Sequence, residues 1–152
     1  MWFDGCAEEA ANFYTSFVKL GKITHVQKRI GGENKENLSS VLAVAFELNG
    51  QPFTAPNGGA QFKFSEAISF QIDCVDQAEV DYYWERLTEG GDLSKQQCGW
   101  VEEKFGVSWQ VIPKQLKEYL ADPNPEKSQR TYKAILEMTK LDIGVLKSAY
   151  DG

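Results

Sequence analysis

The chain repeats itself, and the repeat narrows the possible folds more than any single motif does. Laid over the first half, the second sets Ile72-Asp73 on Phe3-Asp4 and Asp81-Tyr82-Tyr83 on Asn12-Phe13-Tyr14. Near the end of each half a second echo sets Gly106-Val107-Ser108-Trp109-Gln110-Val111 on Gly50-Gln51-Pro52-Phe53-Thr54-Ala55. Both copies read as a strand, a short turn, a helix with an aromatic pair at its middle, and three more strands. The identities are few; the matching order β-α-β-β-β carries the weight. One helix covers one face of a four-stranded sheet and leaves the other open. The expectation is therefore an α+β fold of tandem βαβββ modules forming a curved mixed sheet around a cleft. Its first strand is truncated, and a C-terminal helical tail follows. Module one spans about residues 1–58, module two about 65–113, and the tail 114–152.

Local patterns place the elements. Met1–Phe3 reads as the end of a strand. Ala7–Val18 reads as a helix whose apolar face is Ala10, Phe13, Tyr14, Phe17 and Val18, with Glu8 and Glu9 at the positive end of its dipole. Strands follow at Lys22–Ile30 and Ser40–Leu48, separated by a polar loop over Gly31–Asn37. Asn49-Gly50 is a strong hairpin signal, because both turn positions want φ > 0. The hairpin returns through Gln51–Ala55, and Pro56–Gly59 breaks the chain. Ala67–Cys74 is a strand. Asp76 caps a helix to Glu89 that buries Val80, Tyr83, Trp84 and Leu87, with Gly90-Gly91 as its stop. Short strands cover Lys95–Lys104, and Val107–Ile112 ends at Pro113. Helices then cover Lys114–Leu120, Glu126–Lys140 (Tyr132, Ile135, Leu136 and Met138 or Thr139 inward) and Asp142–Tyr150.

Side chains alternate faces along a strand. Ile68, Phe70 and Ile72, like Val107, Trp109 and Val111, belong under a helix. Ala67, Ser69, Gln71 and Asp73 face the other way, as do Ser108 and Gln110. By the repeat, Thr54 and Gln110 are equivalent, and Trp2 is equivalent to Gln71. Trp84 and Trp109 belong to the core, while Trp2 and Trp100 suit the cleft. The candidate ligand-binding residues are therefore Trp2, Thr54, Ser69, Gln71, Cys98, Trp100, Ser108 and Gln110. Such a set reads as a pocket of aromatic walls and a few orienting polar groups. The competing reading is a partly collapsed cleft that holds water. Glu102-Glu103 reads as a solvated acidic face, and the tail as a packing or dimer element.

Composition excludes several classes. The chain has 152 residues, enough to bury a core without disulfides. The net charge of −6 argues against nucleic acid and against an anionic membrane. No apolar run is long enough to span a bilayer, and MWFDGCAEEA carries no secretory signal pattern. Cys6, Cys74 and Cys98 are odd in number and widely spaced, as expected of reduced thiols in the cytoplasm. Cys74 sits in an apolar strand pattern. The single histidine, His25, lies in a polar alternating stretch and reads as a solvated strand residue. No P-loop, HExxH or glycine-rich dinucleotide motif is present. No metal or cofactor is expected from these residues, and they leave open whether a reaction is catalysed and by which groups.

Several segments resemble the PhnB-like proteins. They are Trp2–Tyr14, Asn49–Phe53, Asn57-Gly58-Gly59, Ile68-Ser69-Phe70, Cys98-Gly99-Trp100, Lys104–Val111 and Asp122–Lys127. That family carries the label 3-demethylubiquinone-9 3-methyltransferase. It belongs to the vicinal-oxygen-chelate, or glyoxalase/bleomycin-resistance/dioxygenase, superfamily. The resemblance implies a glyoxalase-like domain over residues 1–152, commonly a homodimer. It also implies metal-ligand places on the first and last strands of each module. Here one place falls before Met1, and the others, near Ala67 or Ile68 and at Thr54 and Gln110, are neither His nor Glu. The reading that follows is a protein that binds a small organic ligand without a catalytic metal. The alternatives are a metal-dependent lyase or transferase of the vicinal-oxygen-chelate type, and the methyltransferase of the label.

Overall fold

A single helix crossing over a sheet can bury only one of its faces, and each half of the chain makes that crossing once. The computed structural model describes residues 1–30 and 40–152. The expected loop at Gly31–Asn37 lies outside the described residues. Two units are formed, Met1–Phe64 and Ser65–Gly152.

In the first unit, helix α1 (Ala7–Phe17) buries Ala7, Ala10, Ala11, Tyr14 and Phe17. Phe13 and Val18 are only half-buried. Small residues line the contact side, so the buried stripe runs through Ala7 and Ala11 rather than through Phe13. Strands β1 (Lys22–Lys28), β2 (Val41–Leu48) and β3 (Gln51–Pro56) form an antiparallel sheet in that order. Asn49 and Gly50 take φ of 49° and 81°, as the two-residue turn requires. His25 is exposed on β1.

The first strand is reduced to a parallel bridge between Phe3 and Asn57. Phe3 N–H donates to Pro56 O at 3.0 Å, and Gly58 N–H donates to Phe3 O at 3.0 Å. The Met1 ammonium donates to Thr54 O at 2.8 Å and extends the same ladder. The expected break at Pro56–Gly59 therefore starts later: Pro56 ends β3 and Asn57 is buried. Asn57 Oδ1 accepts from Ala7 N–H at 2.9 Å, and its Nδ2 donates to Val41 O at 3.0 Å. Cys6 offers no side-chain cap, so a residue fifty positions away satisfies a donor at the start of α1.

The second unit repeats the connectivity. Strands β4 (Ser69–Cys74), β5 (Asp92–Gln97), β6 (Trp100–Glu102) and β7 (Ser108–Pro113) stand in the order β4-β7-β6-β5, with β4 parallel to β7. Helix α2 (Gln77–Thr88) supplies the crossover that a parallel pair needs. Asp76 caps it by accepting from Glu79 N–H at 2.9 Å, and Val80, Tyr83, Trp84 and Leu87 are buried as expected. Trp109, Val101, Val111 and Cys74 are buried in the sheet.

Two expectations for this unit are corrected, at Ile68 and Glu103, and the one or two strands read over Lys95–Lys104 prove to be two. Ile68 is 75% exposed and lies outside the strand. The N–H and C=O of Val107 are both taken by Glu103, which leaves β4 no partner beyond Ser69. Glu103 is not part of a solvated acidic face, being only 1% exposed. Its carboxylate accepts from Phe105 N–H and Val107 N–H, both at 2.9 Å, and so closes the β6–β7 turn. The short strands break at Cys98-Gly99, with φ of 53° and 83°, so Cys98 sits in a turn.

Helices α3 (Lys114–Leu120), α4 (Pro125–Leu136) and α5 (Ile143–Asp151) form the tail. Their core joins the end of β7 through Ile112, Leu116, Ile135, Leu141 and Leu146. Helix α4 stops at Leu136, short of the expected Lys140, and its inward residues are Thr131 and Ile135. Tyr132 and Leu136 are 55% and 57% exposed. The chain leaves the helix because Met138 O and Thr139 O accept from Cys98 N–H (2.7 Å) and Gly99 N–H (2.9 Å). A continuing helix would bind those carbonyls internally.

Trp109→Ala is expected to cost roughly 3–5 kcal/mol, whereas Gln110→Ala, on the opposite face, leaves the melting temperature nearly unchanged. Thermal melts of the two variants check this; the reverse ranking contradicts the face assignment. Glu103→Ala removes the acceptor of two buried N–H groups and is expected to cost about 3 kcal/mol, measured by urea unfolding.

Candidate functional site

Pairing across the second sheet brings distant residues into one line. Gln71 lies opposite Gln110, Gln110 opposite Trp100, and Trp100 opposite Gln97. Residues that pair across neighbouring strands point to the same face, so Gln71, Gln110, Trp100 and Gln97 form a polar row with one indole in it. Trp109, their neighbour in sequence, is buried on the other face. A second row runs from Ser69 through Ser108 to Glu102 and Asp92. Gln110 Nε2 donates to Ser69 Oγ at 2.8 Å and ties the two rows together. Gln71 is exposed, and its Nε2 donates to Asp73 Oδ1 at 2.6 Å. Desolvation pulls the Asp73 carboxyl upward, but hydrogen bonds from Lys117 and Gln71 outweigh it and leave the group below its ordinary range.

Ser108 departs from the expectation of an open cleft position. It is 2% exposed, and its Oγ has no hydrogen-bond partner. A buried hydroxyl left in that state costs free energy.

Beside Trp100 lies a hollow of about 340 Å³ lined by Glu66, Ser94, Lys95, Gln97, Cys98 and Trp100. The volume sits at the small end of the ligand-site range. Glu66 precedes β4 at one edge of the sheet, and Lys95 lies on β5 at the other. Their ion pair joins the turn ahead of β4 to β5. The hydrogen bond from Lys95, followed by a backbone bond and the Lys95 charge, holds the Glu66 carboxyl below its usual value. The same bond raises Lys95. Asp92 accepts from Ser94 N–H at 2.9 Å and from Ser94 Oγ at 2.7 Å. Cys98 is half-buried in its turn and packs against the tail core.

Of the eight residues singled out from sequence, Ser69, Gln71, Cys98, Trp100, Ser108 and Gln110 share the second unit, and Cys98 and Trp100 line the hollow. Trp2 and Thr54 belong to the first unit. Trp2 donates from Nε1 to Gly59 O at 2.8 Å and meets Phe62 edge-on at 5.0 Å. A Cβ at Gly58 would stand 1.9 Å from the Trp2 ring, so only glycine fits there. Thr54 is exposed. The equivalence of Trp2 with Gln71 is corrected. Asn57 corresponds to Pro113 by the repeat of the last strands, and Pro113 pairs with Cys74. Phe3 is thus the counterpart of Cys74, and the counterpart of Gln71 precedes Met1.

Glu66, Ser94, Lys95 and Gln97 were missed. Cys98-Gly99, read as a two-residue turn, places Gln97 opposite Trp100 and was the available signal. Glu66 meets Lys95 from 29 residues away and leaves no local pattern. Among the described residues no three His, Cys, Asp or Glu side chains are grouped to hold a metal. The amides and indole of the first row are a poor donor set for a divalent cation, and the second row adds only the carboxylates of Glu102 and Asp92.

Residues 1–112 match the family model described as 3-demethylubiquinone-9 3-methyltransferase. A putative 3-demethylubiquinone-9 3-methyltransferase, PhnB protein, from Bacillus cereus is 31% identical, with a TM-score of 0.65 over 74% of this chain and 95% of that one. Protein PA1353 from Pseudomonas aeruginosa is 16% identical, with a TM-score of 0.60 over 74% and 92% of the two chains. A glyoxylase/bleomycin resistance protein/dioxygenase domain from Frankia sp. EAN1pec is 13% identical, with a TM-score of 0.47 over 74% and 86%. A search of curated proteins gives no match.

Proposed function

The chain belongs to the 3-demethylubiquinone-9 3-methyltransferase (PhnB-like) family, with a glyoxalase-type α+β fold, and from that premise we propose that it binds a small organic ligand on the open face of its second unit without a catalytic metal. The observation that carries this reading is the row Gln71–Gln110–Trp100–Gln97 beside the hollow of about 340 Å³. An indole offers a broad apolar surface, and amides that can both donate and accept fix a ligand's orientation. The Ser69–Gln110 pair adds polar groups in the adjoining row.

The family label names methyl transfer. A cofactor of the nucleoside type is held by a glycine-bearing turn after a parallel strand. Here β4 passes to α2 through Val75 and Asp76 alone, with no glycine to let a ligand approach the backbone. This supports binding without that cofactor. The ligand-contacting residues proposed are Ser69, Gln71, Gln97, Cys98, Trp100 and Gln110.

Saturation-transfer NMR with a set of small aromatic and hydroxylated compounds tests the reading. Binders are expected, with affinity falling roughly tenfold in Trp100→Ala and the fold retained in thermal melts. Three results overturn it: equal binding by wild type and Trp100→Ala, a stoichiometric divalent ion in protein purified without chelators, or binding of S-adenosylmethionine in calorimetry.

We further propose a cytoplasmic homodimer. Cys6, Cys74 and Cys98 form no disulfide among the described residues, and no helix there is long and apolar enough to cross a membrane. Tyr132 and Leu136 expose one apolar side of α4. Light scattering after size exclusion is expected to give twice the mass of one chain, and Leu136→Glu to shift it toward one; a single-chain mass for the wild type refutes the dimer.

A further inference from the structure

We propose that the hollow beside Trp100 takes a small planar carboxylic acid, whose carboxylate replaces Glu66 on Lys95 and whose ring lies against the Trp100 indole. The inference rests on the small-ligand reading above and deepens it by naming the ligand's charge.

Four observations support it. Lys95 is the only cation among the six lining residues, and its partner there is the carboxylate of Glu66. Glu66 thus occupies the place a ligand carboxylate would take. It stands outside every regular element, just ahead of β4, whereas Lys95 is held in β5. Of the two partners, Glu66 is the one whose departure leaves the sheet intact. The two side chains are 51% and 41% exposed, and an exposed ion pair has little net worth, so exchange of one carboxylate for another costs little.

The remaining lining chemistry fits an acid better than a base. Trp100 supplies the flat apolar wall, and Gln97 supplies a neutral side-chain donor. Asp92, the next carboxylate along β5, is already engaged by the N–H and hydroxyl of Ser94. Glu102 lies in the neighbouring row, opposite Asp92 and Ser108, not among the lining residues. A cationic ligand would have to take Glu66 from Lys95 and leave the ammonium group unpaired beside the indole.

Benzoate, benzyl alcohol and benzylamine form a matched set of probes, to be titrated by NMR chemical shift into wild type, Glu66→Gln and Lys95→Gln. Both substituted side chains are exposed, and thermal melts confirm that the variants fold. Wild type is expected to prefer benzoate to benzyl alcohol. Glu66→Gln frees Lys95 and is expected to widen that preference roughly two- to fivefold. Lys95→Gln is expected to abolish it while benzyl alcohol still binds. Equal binding of acid and alcohol in all three proteins, or a preference for benzylamine, overturns the inference and leaves the small-ligand reading standing. No binding of any probe to any of the three counts against both.

Discussion

Each unit depends on the parallel pairing of its first strand with its last. Parallel strands cannot be joined by a tight turn, so the chain must cross over, and here it does so as a helix. The helix settles on one face of the sheet and buries it. In the second unit, Trp109 and Val111 go under and Ser108 and Gln110 turn away. In the first unit the same pairing survives as little more than the Phe3–Asn57 bridge, yet α1 still packs its alanines and Tyr14 inward.

Buried and half-buried polar side chains tie such elements together. Asn57 joins the first turn of α1 to β2. Glu103 closes the β6–β7 turn by accepting two N–H groups. Gln77 accepts from Ile143 N–H and links α2 to the start of α5. Each satisfies backbone donors that the sheets and helices leave over, which is the condition for burying them at all. The tail works on the same principle. Its chain leaves α4 so that two carbonyls can meet the Cys98-Gly99 turn, and this turn sets Gln97 opposite Trp100. The tail lies past the residues that define the family, and it steadies the strand pair that carries the candidate site.

Much of this was legible in the sequence. The repeat gave the order of elements in both units, and the inward face of α2 was read residue for residue from Val80, Tyr83, Trp84 and Leu87. Alternation along β7 separated Trp109 from Gln110. The polar row was partly legible, because Gln71 and Gln110 follow from alternation within their own strands. Lys95 and Gln97 were hidden by a turn whose residues, Cys98 and Gly99, form a weaker signal than Asn-Gly. Glu103 was misread because an acidic pair in a sequence looks the same whether it is solvated or folded back on its own turn. Helix α4 was read one face off, since Tyr132 and Leu136 have the right spacing for a core and Thr131 does not look like one.

The sequence by itself determined what neighbours along the chain determine: helix and strand periods, caps at Asp76 and Asp142, the Asn49-Gly50 turn and the division of each strand into two faces. These rest on contacts a few residues apart, which leave a repeating pattern. Only the tertiary structure decided which polar groups would be buried and by what they would be met. Asn57 with Ala7, Glu66 with Lys95, and Met138 with Cys98 are meetings across tens of residues. Such pairs are selected by the closing of the sheets, and no local spacing announces them.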